Sequence, residues 1–157
     1  MSSKSITPLQ GAAAAIVVAA LIQLVPVKRD NPPVKDEVPA PPRVKAILER
    51  ACYDCHSNKT VWPWYSHVAP VSWLVAKDVH NGRHEVNFTD WPTFDQEEQD
   101  HAYKHIAKQV DRRGMPLSNY LLLHPKARLS DEDRRVLVSW ARSWTGESVT
   151  PEPLPAE

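Results

Sequence analysis

The feature that most constrains this chain is the run Cys52-Tyr53-Asp54-Cys55-His56. C-x-x-C-H is the attachment pattern for c-type haem, in which each thiol bonds one vinyl group of the porphyrin. The adjacent His56 is then placed to serve as the proximal ligand of the iron. Cys52 and Cys55 are the only cysteines in the chain. The sequence therefore predicts one covalent haem c per chain, with the polypeptide folded around it.

Other structures also use cysteines at this spacing. A thioredoxin-like redox pair needs a βαβ context, and the surrounding sequence has no strand pattern. A disulfide across only two residues would be strained. A zinc site would need both thiolates, His56 and one of the other six histidines, because no further thiol exists. The zinc site and the redox pair remain open alternatives to haem.

The N-terminal segment has the composition of a membrane anchor. It is uncharged from Ile6 to Val27 and mostly aliphatic from Gly11 to Val25. About 20 apolar residues span a bilayer, and no small-x-small cleavage site follows the run. We therefore expect residues 1–28 to be an uncleaved transmembrane signal-anchor, with a cleaved signal peptide as the alternative.

Lysines on both sides of this segment leave its orientation undecided by charge, but haem attachment to C-x-x-C-H proteins occurs outside the bacterial cytoplasmic membrane. The expected location of the domain is thus the periplasm.

Proline clusters divide the remaining chain. The 15 prolines are concentrated between Pro26 and Pro42 and from Pro151 to Pro155. Residues 29–42 are predicted to form an extended stalk, which at about 3.1 Å per residue would hold the domain roughly 40 Å from the membrane. Residues 43–145 form the predicted haem-binding domain, and residues 146–157 a flexible tail. The formal net charge is zero, which gives no indication of a nucleic-acid partner.

The spacing of apolar residues predicts an all-α, small cytochrome c-like domain. Pro42 can begin the first helix, which leads directly into Cys52. A second helix is expected over Val71 to His80, with Gly82 as its stop. The predicted buried positions of these helices are Val44, Ile47, Leu48, Ala51, Val71, Leu74, Val75 and Val79.

Two further helices are predicted after these. The first is capped by Thr93 or Asp95, runs to about Arg113 and ends at Gly114. After a connector at residues 118–125, a capping box of Ser130 with Asp133 begins the last helix, which we expect to pack across the first. The predicted buried positions are Tyr103, Ile106, Ala107, Val110, Val136, Leu137, Trp140 and Trp144.

Met115 is the candidate for the sixth iron ligand. Pro116 prevents the preceding helix from continuing, so the thioether lies in a loop that can face the haem. The only other methionine is the initiator. Met115 could instead be a buried methionine at a helix end, or a histidine could take the sixth position. The rival histidines are His67, His80, His84, His101, His105 and His124.

An aromatic stretch follows the motif. Trp62, Trp64 and Tyr65 lie in a segment that its prolines prevent from being helical throughout. We predict that these side chains form an aromatic wall over the porphyrin edge. The alternative is that they pack in an ordinary loop core.

Together these motifs resemble the bacterial haem-binding domain family, a group of c-type cytochrome-like proteins. The resemblance lies in the run from Cys52 to Tyr65, in Pro70-Val71-Ser72-Trp73, in Gly114 to Ser118, in Leu123-His124-Pro125 and in Leu129-Ser130. It is expected to cover residues 43–145, with the stalk and anchor outside it. It implies one covalent haem c on Cys52 and Cys55, with His56 as proximal and Met115 as distal ligand.

These features favour a membrane-anchored periplasmic electron carrier rather than an enzyme. Two axial ligands leave no open iron position, so no small-molecule substrate is expected, and membrane-embedded redox complexes are the expected partners. The alternatives are a haem-based sensor with a labile sixth ligand and a haem-bearing accessory subunit of a respiratory complex. The chain has no nucleophile–base motif and no Gly-rich phosphate loop.

Overall fold

The computed structural model of the chain describes residues 7–146. Within this range the chain forms seven α-helices and no β-strand. They are α1 (Pro8–Ile22), α2 (Pro42–Ala51), α3 (Tyr53–His56), α4 (Val71–Glu85), α5 (Gln96–Asp111), α6 (Ser118–Leu123) and α7 (Asp131–Ser143). Short 3₁₀ helices lie at Trp64–His67, Trp91–Thr93 and Pro125–Ala127. The all-α expectation is confirmed for the described range, and residues 147–157 of the predicted tail lie outside it.

The core lies between α2, α5 and α7. As expected, α7 packs against α2, and it also packs against α5. The predicted apolar positions of these three helices are buried, with the exception of Trp144. Trp144 is 49% exposed, because it lies at the C-cap of α7. One face of its indole ring stacks on Tyr103 at a centroid distance of 5.5 Å.

Local capping rules decide where two of these helices begin. Asp95, not Thr93, caps α5: its Oδ1 accepts from the Glu98 backbone N–H at 2.9 Å, and Glu98 Oε2 accepts from the Asp95 backbone N–H at 2.9 Å. Ser130 and Asp133 form the same reciprocal pair at α7. Each pair satisfies backbone donors that the first helical turn leaves free.

The predicted ends of α4 and α5 need correction. Gly82 does not stop α4, which continues to Glu85. Instead, a Cβ at Gly82 would lie 2.5 Å from the Cys55 carbonyl oxygen, so a glycine is needed where α4 meets α3. At the end of α5, Arg113 takes the left-handed conformation with φ 60°. The expected connector at residues 118–125 contains α6.

The proline-rich segment at residues 29–42 lies along the domain. The backbone N–H groups of Lys35 and Val38 donate to the carbonyls of Thr89 and Phe88, at 3.0 and 2.8 Å. Val38 is buried in the core. This arrangement differs from the expected 40 Å spacer. The physical reason is that an extended segment leaves its backbone groups unpaired, and the loop after α4 supplies partners for them.

Helix α1 occupies part of the predicted membrane anchor. Thr7 caps it in a reciprocal pair with Gln10, and none of its residues is buried. Among residues 7–146, no helix combines the length and the apolar character that crossing a membrane requires. Residues 1–6 of the predicted anchor lie outside the described range.

Candidate haem site

A cavity of about 360 Å³ lies beside the C-x-x-C-H motif. Small-molecule and cofactor sites are typically about 300–1,000 Å³ and mostly apolar. Cys52, Cys55, His56 and Met115 all line this cavity. Much of the remaining wall is aliphatic, and it includes Leu48, Val75, Val79, Val86, Ile106 and Val110. Two motifs that are far apart in the sequence therefore meet at one apolar cavity.

The wall explains why part of α4 is not buried in the protein core. Val79 is buried, but Val71 and Leu74 are exposed. Both exposed residues, together with Val75, line the cavity. The predicted apolar face of α4 is therefore real, and most of it faces the cavity instead of a neighbouring helix.

The two cysteines are free thiols held at the junction of α2 and α3. Burial raises the pKa of both the Cys52 and the Cys55 thiol to about 12. Redox-active C-x-x-C pairs depend on the opposite shift, a lowered thiol pKa. The environment therefore does not support the redox-pair alternative.

The zinc alternative requires a cluster of at least three ligating side chains. Within residues 7–146, no group of three or more His, Cys, Asp or Glu side chains is arranged to hold a metal ion.

The hydrogen bond of the His56 ring indicates which of its nitrogens carries the proton. Its Nδ1 lies 3.1 Å from the Val86 carbonyl oxygen. A carbonyl can only accept, so Nδ1 carries the proton and Nε2 keeps its lone pair. Burial lowers the pKa of His56, which favours the neutral ring. A ligand histidine that donates its other N–H to a backbone carbonyl is the usual arrangement at metal centres.

Asp54 ties the motif to a distant helix. Tyr120 on α6 donates from its hydroxyl to Asp54 Oδ2 at 2.7 Å, and the Val61 backbone N–H donates to Asp54 Oδ1 at 3.2 Å. Burial, followed by this carboxylate, raises the pKa of the Tyr120 hydroxyl above its ordinary value. Tyr120 is not among the sequence-predicted site residues. No local signal connects it to the motif, because the contact joins residues 66 positions apart.

One of the three aromatic residues predicted to line the site does so. Tyr65 lines the cavity, whereas Trp62 and Trp64 are not part of its lining. Trp64 is 78% exposed and makes an edge contact with Tyr65. On the cavity side, Tyr120 stacks on His124 with a centroid distance of 4.0 Å.

Two of the six rival histidines reach the cavity, His105 and His124. His124 has partners at both nitrogens: Nε2 lies 3.2 Å from the Tyr65 hydroxyl and Nδ1 lies 3.1 Å from the Tyr120 carbonyl oxygen. His67, His80, His84 and His101 are not among the lining residues. His105 is therefore the rival to consider beside Met115.

The loop of Met115 is anchored from two sides. The Met115 backbone N–H donates to the Gln109 carbonyl at 3.2 Å. Arg134 Nη1 donates to the Met115 carbonyl at 3.2 Å and to the Val110 carbonyl at 3.0 Å. Free thiols, an oriented imidazole, a thioether and an apolar wall together form a donor set that fits a haem.

Comparison with known proteins agrees with this fit. The family model described as a haem-binding domain matches residues 17–143. No curated protein and no solved structure matches the chain. The match begins at residue 17 and not at the expected residue 43, so the proline-rich segment packed on the domain is part of the matched region. The chain belongs to the haem-binding domain family.

Proposed function

We propose that this haem-binding protein is a mono-haem cytochrome of the c type that carries single electrons. The observation that carries the proposal is the shared cavity of Cys52, Cys55, His56 and Met115, with Nδ1 of His56 held by the Val86 carbonyl. When bound, a haem supplies an iron that can gain or lose one electron.

Different residues of the chain would attach the haem and ligate its iron. Cys52 and Cys55 would attach it covalently through thioether bonds, and the short helix α3 sets their separation. His56 would ligate the iron through Nε2 and Met115 through its sulfur. Two protein ligands leave no position for a substrate, and a methionine ligand gives a higher reduction potential than a second histidine. The apolar wall excludes water, and burial is a further influence on the potential.

A denaturing gel stained for haem tests the covalent attachment. The protein is produced in a bacterial host with its cytochrome c maturation system. We expect a stained band for the natural protein and none for the double variant Cys52→Ser/Cys55→Ser. Each single serine variant is the matched control, because one thioether bond remains possible. A natural protein without stain, or a stained double variant, would contradict covalent attachment.

Optical spectra test the electron-carrier role against the sensor alternative. A carrier should show the near-infrared charge-transfer band of methionine sulfur bound to ferric iron, and this band should disappear in Met115→Ala. It should also be oxidised and reduced reversibly by one electron. A high-spin ferric spectrum in the natural protein, with ready binding of carbon monoxide, would favour the sensor.

We further propose that the domain works at the periplasmic face of the bacterial cytoplasmic membrane and exchanges electrons with membrane-embedded redox complexes. The support is the absence of charge from Ile6 to Val27 and the exposure of Leu9, Ile16 and Leu21 on α1. The test is fractionation of cells that produce the full chain. We expect the haem stain in the membrane fraction after an alkaline wash, and its recovery in the soluble fraction would contradict the proposal.

A further inference from the structure

The cavity contains two side chains that could compete for the sixth iron position. Met115 and His105 both line it. His105 lies on α5 (Gln96–Asp111), and Met115 follows the end of that helix. A neutral imidazole is a common iron ligand, so something must prevent His105 from taking the position that we assign to Met115.

Gln109 lies between these rivals, and its side-chain orientation follows from its partners. Its Oε1 lies 2.9 Å from Arg112 Nε and 2.6 Å from Arg112 Nη2. A guanidinium only donates, so the carboxamide oxygen must face Arg112. The carboxamide nitrogen then faces His105, with 2.9 Å between Gln109 Nε2 and His105 Nε2.

This orientation determines the state of His105. The carboxamide nitrogen can only donate, so His105 Nε2 must accept and its proton must lie on Nδ1. The lone pair that would bind iron is therefore already engaged by Gln109.

The backbone carbonyl of Gln109 holds the loop of Met115, the other possible ligand. The N–H groups of Gly114 and Met115 both donate to the Gln109 carbonyl, at 2.9 and 3.2 Å. The space for this arrangement depends on Gly114, since a Cβ there would lie 2.6 Å from Gln109 Oε1.

We infer that Gln109 selects the sixth iron ligand: its carboxamide occupies His105 Nε2 while its carbonyl anchors the loop that presents Met115. The inference rests on the proposed function, in which the iron lies between His56 and Met115.

The central variant is Gln109→Leu, which removes the carboxamide donor and keeps the side-chain bulk and the backbone carbonyl. The loss of one hydrogen bond changes an equilibrium constant about fivefold. We therefore expect the ratio of His105-bound to Met115-bound protein to rise about fivefold. The readouts are a weaker methionine-to-iron charge-transfer band and a lower reduction potential.

Three further variants separate ligand selection from a general loss of structure. Gln109→Leu combined with His105→Ala should restore the band, because the competing ligand is gone. Gln109→Glu should keep the band, because a carboxylate beside His105 Nε2 holds a proton on that nitrogen. Gln96→Leu is the matched control: this exposed glutamine on the same helix donates to Asp100 at 3.0 Å and should leave the spectrum unchanged.

Two results would overturn the inference. The first is an unchanged band and an unchanged reduction potential in Gln109→Leu. The second is a band that is lost in Gln109→Leu and is not restored by adding His105→Ala. If Gln109→Leu yields no folded haem protein, Gln109→Ala is read in the same way. A natural haem protein that lacks the band contradicts ligation by Met115 itself, and that failure of the proposed function is visible before any variant is made.

Discussion

His56 Nδ1 lies 3.1 Å from the carbonyl oxygen of Val86, the residue that follows α4. Two residues later, the Phe88 backbone N–H donates to the His56 carbonyl at 2.8 Å. One short segment therefore holds both the ring and the backbone of the candidate ligand. The position of α4 consequently controls the direction in which His56 presents Nε2.

The contact between Gly82 and Cys55 should be sensitive to a single methyl group. Gly82→Ala places a Cβ 2.5 Å from the Cys55 carbonyl oxygen and would push α4 away from α3. We expect the free energy of unfolding to fall by about 1–3 kcal/mol and the fraction of haem-bearing protein to fall with it. Urea unfolding and the haem stain measure these effects.

Gly11→Ala is the control, because nothing lies within 4 Å of a Cβ at that position. It should not destabilise the protein, since alanine is the better helix former. Equal stability of Gly82→Ala and the natural protein would contradict the close approach.

Arg83 joins the proline-rich segment to the residues that follow the C-x-x-C-H motif. Its guanidinium donates to the carbonyls of Ser57 and Asp30, at 2.8 and 2.9 Å, and to the side chains of Asn31 and Thr60, at 2.9 and 2.8 Å. We expect Arg83→Gln to lower the free energy of unfolding by about 2–3 kcal/mol. It should also make residues 29–42 more susceptible to limited proteolysis.

Arg135→Gln is the control for this change, because Arg135 is 64% exposed and its ion pair with Glu132 lies on the surface. An exposed pair is worth about 0–1 kcal/mol. Cleavage of both variants at the same rate would argue against a role of Arg83 in holding the segment.

Glu37 should make stability depend on pH. Hydrogen bonds and charge from Lys45 and Lys59 lower its pKa, and Lys45 Nζ lies 2.6 Å from Glu37 Oε2. A pKa lowered in the folded state adds stability above the unfolded-state pKa of about 4.3. This stability is lost as the pH falls through the lowered value.

We therefore expect Glu37→Gln to cost about 1 kcal/mol at about pH 7 and little at about pH 3. Urea unfolding at both pH values measures the difference. Glu97→Gln, an exposed site on α5, should change the free energy by less than about 0.5 kcal/mol. A cost of Glu37→Gln that does not diminish at low pH would exclude the ion pairs as its cause.

Arg134 should stabilise the loop that carries Met115. Arg134→Gln removes the donor to the Val110 and Met115 carbonyls, and we expect a loss of about 1–3 kcal/mol in the free energy of unfolding. The methionine-to-iron band should also weaken.

Arg142→Gln is the matched control on the same helix, because Arg142 pairs at 3.4 Å with Asp111 and not with the Met115 loop. Its spectrum should match that of the natural protein. If both arginine variants weaken the band equally, Arg134 has no specific role in placing Met115.

Much of the local structure follows from residues close together in the sequence. Asp95 and Ser130 cap their helices through partners three residues away, and the buried faces of α2 and α5 follow the helical period. The C-x-x-C-H run likewise contains its own spacing. These features depend on contacts within one or two helical turns, so the order of residues predicts them.

The chain order by itself determined the presence of α2, α4, α5 and α7, the capping box of α7 and the haem motif, because these depend on short-range geometry. Only the tertiary structure decided that Gly82 serves a close contact, that residues 29–42 lie on the domain, and that Tyr120 donates a hydrogen bond to Asp54 of the motif. The physical reason is that these features depend on groups brought together from distant parts of the chain. An apolar or proline-rich pattern shows which surface needs a partner, but folding alone determines which partner covers it.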